Sequence, residues 1–190
     1  MHTLVFIQAY AGTLAYAGGL TGRLKFQCSD KRIQMSTNTQ PVSKLPRWWP
    51  LLFPLTYLAH IAEEYWCGGG FYNWARVFGM NLSALRFLQL NALAWTVMLL
   101  LNLLAVATPR ARWLMVSFAA AIAFNGSAHT LASLLTLSYS PGLVTGLLLW
   151  LPLGGYTLWR AQAALTRRAY WGAVIWGLVL HGSITLAALW

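Results

Sequence analysis

The sequence predicts an all-α, polytopic transmembrane helical bundle of about five spans with a cytoplasmic N-terminus, and three observations predict it. Hydrophobic residues make up 58% of the 190 and charged residues only 8%, whereas a soluble globule carries about a quarter charged residues to face water. Apolar runs near the roughly 20 residues that cross about 30 Å of hydrocarbon recur along the chain. The 13 Lys and Arg, set against 3 Asp and Glu, fall mainly between those runs. Together these exclude disordered, disulfide-scaffold and ordinary soluble classes and place the chain in the cell membrane as a multi-pass protein with the lipid bilayer as partner. The formal charge of +10 is chiefly an orientation signal, so no nucleic acid is expected. Cys28 and Cys67 lie far apart without a CxxC and indicate neither a zinc knuckle nor a disulfide framework.

Residues 1–22 are moderately apolar, rich in Gly and Ala, and carry no cation before Arg23, so they lack the positive start of a signal peptide. Arg23 to Arg47 is polar and Pro-punctuated, as a solvated tail would be. Residues 1–47 are therefore expected to be an N-terminal extension and tail, and 48–190 the transmembrane domain. Met35 opens a second plausible start, which makes residues 1–34 a dispensable extension. Five spans follow at about Trp49–Trp66, Leu82–Ala107, Trp113–Leu137, Leu143–Trp159 and Tyr170–Trp190, bounded by cations, Pro, Gly or interfacial aromatics. Pro50 and Pro54 fit the opening turns of the first, where amide donors are unpaired anyway, and CGGG at 67–70 ends it. FYNWARVFGM, 71–80, is too short to cross and is expected to be an interfacial helix or re-entrant loop.

Orientation follows from the cations. Eleven of the 13 lie on the N-terminal side and only Arg76 and Arg86 lie opposite. Without the first 34 residues the ratio is still 7 to 2, so the C-terminus is expected outside. Arg86 is expected to anchor the outer end of the second span or to reach inward toward a glutamate.

Two of the three acids, Glu63 and Glu64, sit side by side within the first span. A carboxylate near the bilayer centre costs roughly 2.5–3.5 kcal/mol, so such groups normally face a protein interior or wet cavity and mark function. At about 100° per residue, His60, Glu63 and Glu64 share one helix face. Counting about 1.5 Å per residue from the cytoplasmic edges places His60 and His181 at about 16 Å, Asn125 at about 18 Å, Glu63 and Glu64 at about 21–22 Å, and His129 at about 24 Å. Asn91 arrives at a similar level from the other side. Four helices thus bring polar groups to one slab. Packing explains some of them, since an isolated intramembrane Asn is commonly interhelical glue and small residues such as Gly126, Ser127 and Gly177 allow close approach. The Trp and Tyr residues are expected mainly in interface belts.

A His and a Glu at i and i+4 with a second Glu at i+3 let one helix present two metal ligands and a base. His60 and Glu64 would be ligands, with His129 and His181 completing a nitrogen and oxygen set that leaves a water position and suits Zn²⁺ or Fe²⁺. Glu63 would be the catalytic base, and Asn91 or Asn125 would stabilise oxyanion charge.

The string His60-Ile61-Ala62-Glu63-Glu64, followed by Asn91, Asn125 and His129, resembles the HXXEE-domain family of membrane proteins over roughly residues 48–190. The resemblance implies a helical bacterial membrane protein, hence an inner-membrane location, of no established biochemical function. The chain is more loosely similar to the glutamate-type intramembrane CAAX proteases, which Glu63, Glu64, His129 and His181 match in kind and order. It departs from them at Gly68, Asn125 and Thr185, where that family's pattern has Arg, Phe and Asn. The first functional expectation is a metal-dependent intramembrane hydrolase acting on a lipid or peptide substrate. The alternatives are a proton- or cation-coupled carrier and a non-catalytic structural membrane protein. Five spans without an obvious repeat weigh against the carrier.

Overall fold

The structure, a computed structural model, describes residues 45–189. The dispensable extension expected at 1–34, nearly all of the 1–47 tail and Trp190 lie outside the described residues. Every regular element among the described residues is helical. The helices fall at the apolar runs, with ends set by the residues that punctuate them.

A 3-10 turn, Trp49–Leu51, carries Pro50 and leads into α1, Leu52–Trp66, whose first turn holds Pro54, a place where a missing N–H removes little hydrogen bonding. The helix stops at Cys67, which is extended (φ −93°, ψ 150°) and opens the glycine run. The segment from residue 71 forms a short helix, α2, Phe71–Trp74, continued by a 3-10 turn, Ala75–Phe78. Helix α3, Ala84–Ala107, starts at Ser83, whose side chain accepts the Arg86 amide at 3.2 Å, an N-cap bond that satisfies one orphan donor. It ends before Pro109, which forces the preceding Thr108 into an extended conformation.

Helix α4, Trp113–Thr136, is buried at every position from Leu114 to Ala120, as expected of a helix apolar all round. It packs against α7, α6 and α3 and forms the axis of the bundle. Leu137, left-handed at φ 49°, terminates it. The next helical run is composite: α5, Leu143–Thr145, passes into a π-helical stretch, Gly146–Trp150, and then into α6, Leu151–Gln162. Pro152 gives the reason, because its ring crowds the carbonyl of Leu148 and offers no N–H to it, so the regular ladder cannot run through this turn. Helix α7, Arg167–Leu189, starts three residues before the expected boundary.

Among the described residues, three helical segments are long and apolar enough to cross a membrane: Ala84–Ala107, Pro109–Thr136 and Arg167–Ala188. Their best windows are 17%, 56% and 11% buried, so α3 and α7 turn apolar surface outward while α4 is enclosed. The 15 residues of α1 rise only about 22 Å, and the run from 143 to 162 is interrupted by its π turn. Arg86 is an anchor of a different kind from that expected: its Nη2 donates to the Ala187 carbonyl at 2.9 Å and ties the start of α3 to the end of α7.

Helices approach at backbone distance where glycines face them. A Cβ on Gly126 would lie 2.7 Å from the Gly146 carbonyl oxygen, whereas one on Gly155 meets nothing within 4 Å. Gly126→Val is therefore expected to destabilise the protein by about 1–3 kcal/mol or more through overpacking. Gly155→Ala should stabilise it by up to about 1 kcal/mol. Thermal unfolding of the detergent-solubilised chain checks both signs.

Candidate metal centre

Helix periodicity puts His60, Glu63 and Glu64 on the inner face of α1, where they are 0%, 8% and 6% exposed. The axial helix α4 supplies His129 from the opposite wall, 5% exposed. Glu64 lies between the two imidazoles, its Oε1 3.5 Å from His60 Nε2 and 3.2 Å from His129 Nε2. One donor atom from each of the three residues falls within 4.8 Å of the others. Two ligands each about 2.0–2.2 Å from a tetrahedral ion stand about 3.3–3.6 Å apart, and both measured separations are close to that range. His60, Glu64 and His129 could hold a metal ion.

The surroundings are shaped to this group. His60 Nε2 is buried without a hydrogen-bond partner. Trp150 stacks on the His60 ring at 3.6 Å, and the two imidazoles meet edge to face at 5.2 Å. Gly142, at φ +97°, closes the side facing the connection between α4 and α5. A Cβ there would come within 2.8 Å of His60 Cε1 and 2.9 Å of His129 Cε1, so only glycine meets both the backbone and the space requirement.

Glu63 has a different setting. Its Oε1 accepts from the Tyr139 hydroxyl and from the Val144 amide at 2.8 Å, and its Oε2 accepts from the Thr145 amide at 2.7 Å and from the Thr145 hydroxyl. The carboxylate thus caps the start of α5 from another helix, where free amides favour an anion. Partial burial and then the Glu63 carboxylate push the Tyr139 hydroxyl well above its usual range, so it stays a donor.

This network fixes the proton on His60. Thr145 Oγ1 gives its hydrogen to Glu63, so toward His60 Nδ1, 2.7 Å away, it must accept. The proton assignment follows from the bonding pattern: Nδ1 is protonated and, in the neutral ring, Nε2 turns its lone pair toward Glu64. A histidine whose far nitrogen is tied through a hydroxyl to a carboxylate is the usual outer arrangement of a metal ligand. His129 has a parallel tie, Nδ1 to Ser140 Oγ at 2.9 Å.

The other expected site residues are placed as follows. His181 lines the same cavity as His60 and Glu64 with its ring edge-on to Phe124 at 5.2 Å, and it is outside the three-residue ligand group. Asn91 accepts from Tyr57 at 2.8 Å and donates to the Phe87 carbonyl at 3.0 Å. Asn125 lines the cavity with a buried, unpartnered Oδ1. Tyr139, Ser140, Gly142, Thr145 and Trp150 were not expected. The signal for the first three was the Ser-Tyr-Ser-Pro-Gly run, 138–142, shortly after the His129 helix, a polar turn where a span boundary alone needs none.

A family model described as "Protein of unknown function with HXXEE motif" matches residues 51–157, a stretch that holds the whole His60, Glu64 and His129 group. No curated protein and no solved structure matches the chain.

Removing the Thr145 hydroxyl with its shape kept, Thr145→Val, should lower metal affinity about 10–100-fold, the usual effect of losing an outer partner. Thr145→Ser should retain it. Competition against a chelating dye measures the difference, and equal affinity in all three proteins would show that the relay does not orient His60.

Proposed function

The chain belongs to the HXXEE-motif family, and we propose that it is a multi-pass membrane protein whose His60, Glu64 and His129 bind a divalent ion, Zn²⁺ or Fe²⁺, for hydrolysis of a lipid or peptide within the bilayer. The single observation that carries the reading is the convergence of two imidazole nitrogens and one carboxylate oxygen within 4.8 Å in a buried place. Converging lone pairs repel unless a cation lies between them, and three protein ligands with an open position are the pattern of catalytic rather than structural metal sites. When bound, the ion would supply Lewis acidity and a water activated near neutral pH.

The protein's own groups have separate tasks. Glu64 and the two histidines bind. Glu63 holds His60 in its ligating tautomer through Thr145 at Oε2, and its Oε1 is taken by Tyr139 and the Val144 amide, so we assign it to positioning and not to proton abstraction. Asn91 is committed to Tyr57 and to its own helix, which leaves the Asn125 carboxamide as the group free to meet a substrate oxygen. His181 faces the same cavity and is available for proton transfer. Apolar walls and Trp150 keep bulk water from the group, which strengthens each of these interactions.

For topology the proposal is five spans, with α1 and the composite 143–162 run completing the bundle and the N-terminus in the cytoplasm, from the cation asymmetry. A short first span is accommodated by local thinning of the bilayer at modest cost.

Metal analysis of the purified full chain should find about one ion per protein, lost in Glu64→Gln and in His129→Ala and kept in His181→Ala. A metal-free native protein ends the enzyme reading. In stability the two losses should each cost about 3–5 kcal/mol, and the double variant less than their sum, because the partners compensate one another's buried polarity. Metal-loaded protein incubated with membrane lipids or peptides should release fatty acid or fragments, and Glu64→Gln should not.

A reporter fused after Trp190 should register as external. Cytoplasmic activity there would change the span count or the orientation.

A further inference from the structure

A cavity of about 420 Å³ begins at His60 and Glu64 and extends between α1, α3, α4 and α7. Its walls are apolar, with Phe87, Val97, Ile122, Leu180 and Ile184 among them. Where it reaches the outside it does so between α3 and α7: Leu93, Val97 and Ile184 line it and are 65%, 43% and 41% exposed. These belong to the two helices whose apolar surface is least covered. The way in is therefore through the face of the bundle that suits hydrocarbon, not through a polar mouth.

The hydrogen bonds the cavity can offer decide between the two substrate classes. An extended peptide brings one donor and one acceptor per residue, and each left unpaired away from water opposes binding. Asn91 is satisfied by Tyr57 and the Phe87 carbonyl. The hydroxyls of Ser183 and Thr185 already donate to the carbonyls of their own helix. Beyond the metal ligands, Asn125, His181 and the unpartnered indole N–H of Trp150 remain. Three such groups at one end of an apolar chamber match a molecule that is polar at one end and alkyl for the rest of its length. They do not match a peptide backbone.

We infer that the substrate is a single-chain or chain-inserting lipid whose alkyl part lies in this cavity, having entered between α3 and α7, and whose polar end meets Asn125, His181 and the His60, Glu64 and His129 group. The inference deepens the proposed function and rests on it only for the polar end. The chain pocket stands on the cavity itself.

Two photoreactive probes test it on the full chain in lipid nanodiscs: a dodecyl hydroxamate and a dodecanol, each with a diazirine near the chain terminus. Both should label peptides of α3 and α7 at residues lining the cavity, and an excess of the unlabelled compound should abolish that labelling. Ala121→Phe, which fills the cavity from α4 without touching a ligand, should reduce labelling at least about tenfold, the lower end of what a filled apolar pocket withholds. Val97→Trp does so from α3 and serves if the first variant does not fold. Label spread over the outer faces, or indifferent to both variants, marks annular lipid and overturns the inference. So does a peptide hydroxamate that displaces the probe as well as dodecyl hydroxamate does. If the metal reading fails, the hydroxamate loses its advantage while the alcohol still labels the cavity. If only the chain inference fails, one ion per protein is retained and neither probe labels the cavity.

Discussion

The Glu63 carboxylate, closed by four hydrogen bonds from Tyr139, Val144 and Thr145, is the contact on which the rest of the centre depends. It joins the last turn of α1 to the start of α5 and so fixes two helices that are far apart in sequence. The turn carrying Ser140 and Gly142 is held between them, and with it the partners of both imidazoles. A buried carboxylate needs paired hydrogen bonds to be tolerated, and helix-end amides with two hydroxyls provide them without a second charge. The adjacent glutamates thus divide the work, one ordering the scaffold and the other facing the two histidines.

Enclosure of α4 follows from the same economy of space. Gly126 meets Gly146 and a Cβ on Gly177 would strike the Ser117 carbonyl, so the axial helix is gripped from two sides at backbone distance. His129 follows Gly126 by three residues on the helix so gripped. By contrast α3 and α7 lean on α4 mainly with one face, and the separation between them leaves the cavity. Close approach at the His129 helix and room between α3 and α7 are two results of one arrangement of small residues.

Much of the fold was legible because the apolar runs are separated by residues with strong local preferences: Pro50, the glycines at 68–70, Ser83, Pro109. The His60 and Glu64 pair was legible for a related reason, since a helix places i and i+4 together whatever surrounds it. His129 came within reach through depth counting. That method fixes height and not azimuth, and it could not separate His129, which faces Glu64, from His181, which lines the cavity beside Phe124. Thr145 was illegible, and of Ser140 only the polar turn that carries it was visible, because their roles depend on that turn folding back on α1 and no periodicity records such a return. Trp150 escaped notice because tryptophan in an apolar run resembles an interface residue. It is 2% exposed and stacked on His60, and the reason lies in the π turn that precedes Pro152.

That π turn makes the chain's register at this point a quantity with chemical meaning. A π segment is in effect one residue inserted into an α-helix, and each residue in an α-helix advances the face by about 100°. The wide turn at Gly146–Trp150 is what lets Thr145 stay at the Glu63 carboxylate while Trp150, five positions later, still lies against His60. In a regular helix the residue one turn beyond Thr145 would be Leu149, and Trp150 would rotate away from the ring. The length of this segment is therefore constrained as tightly as its composition. A gap or insertion of a single residue between Thr145 and Trp150 in a related sequence would signal a changed centre, even with every histidine and glutamate in place.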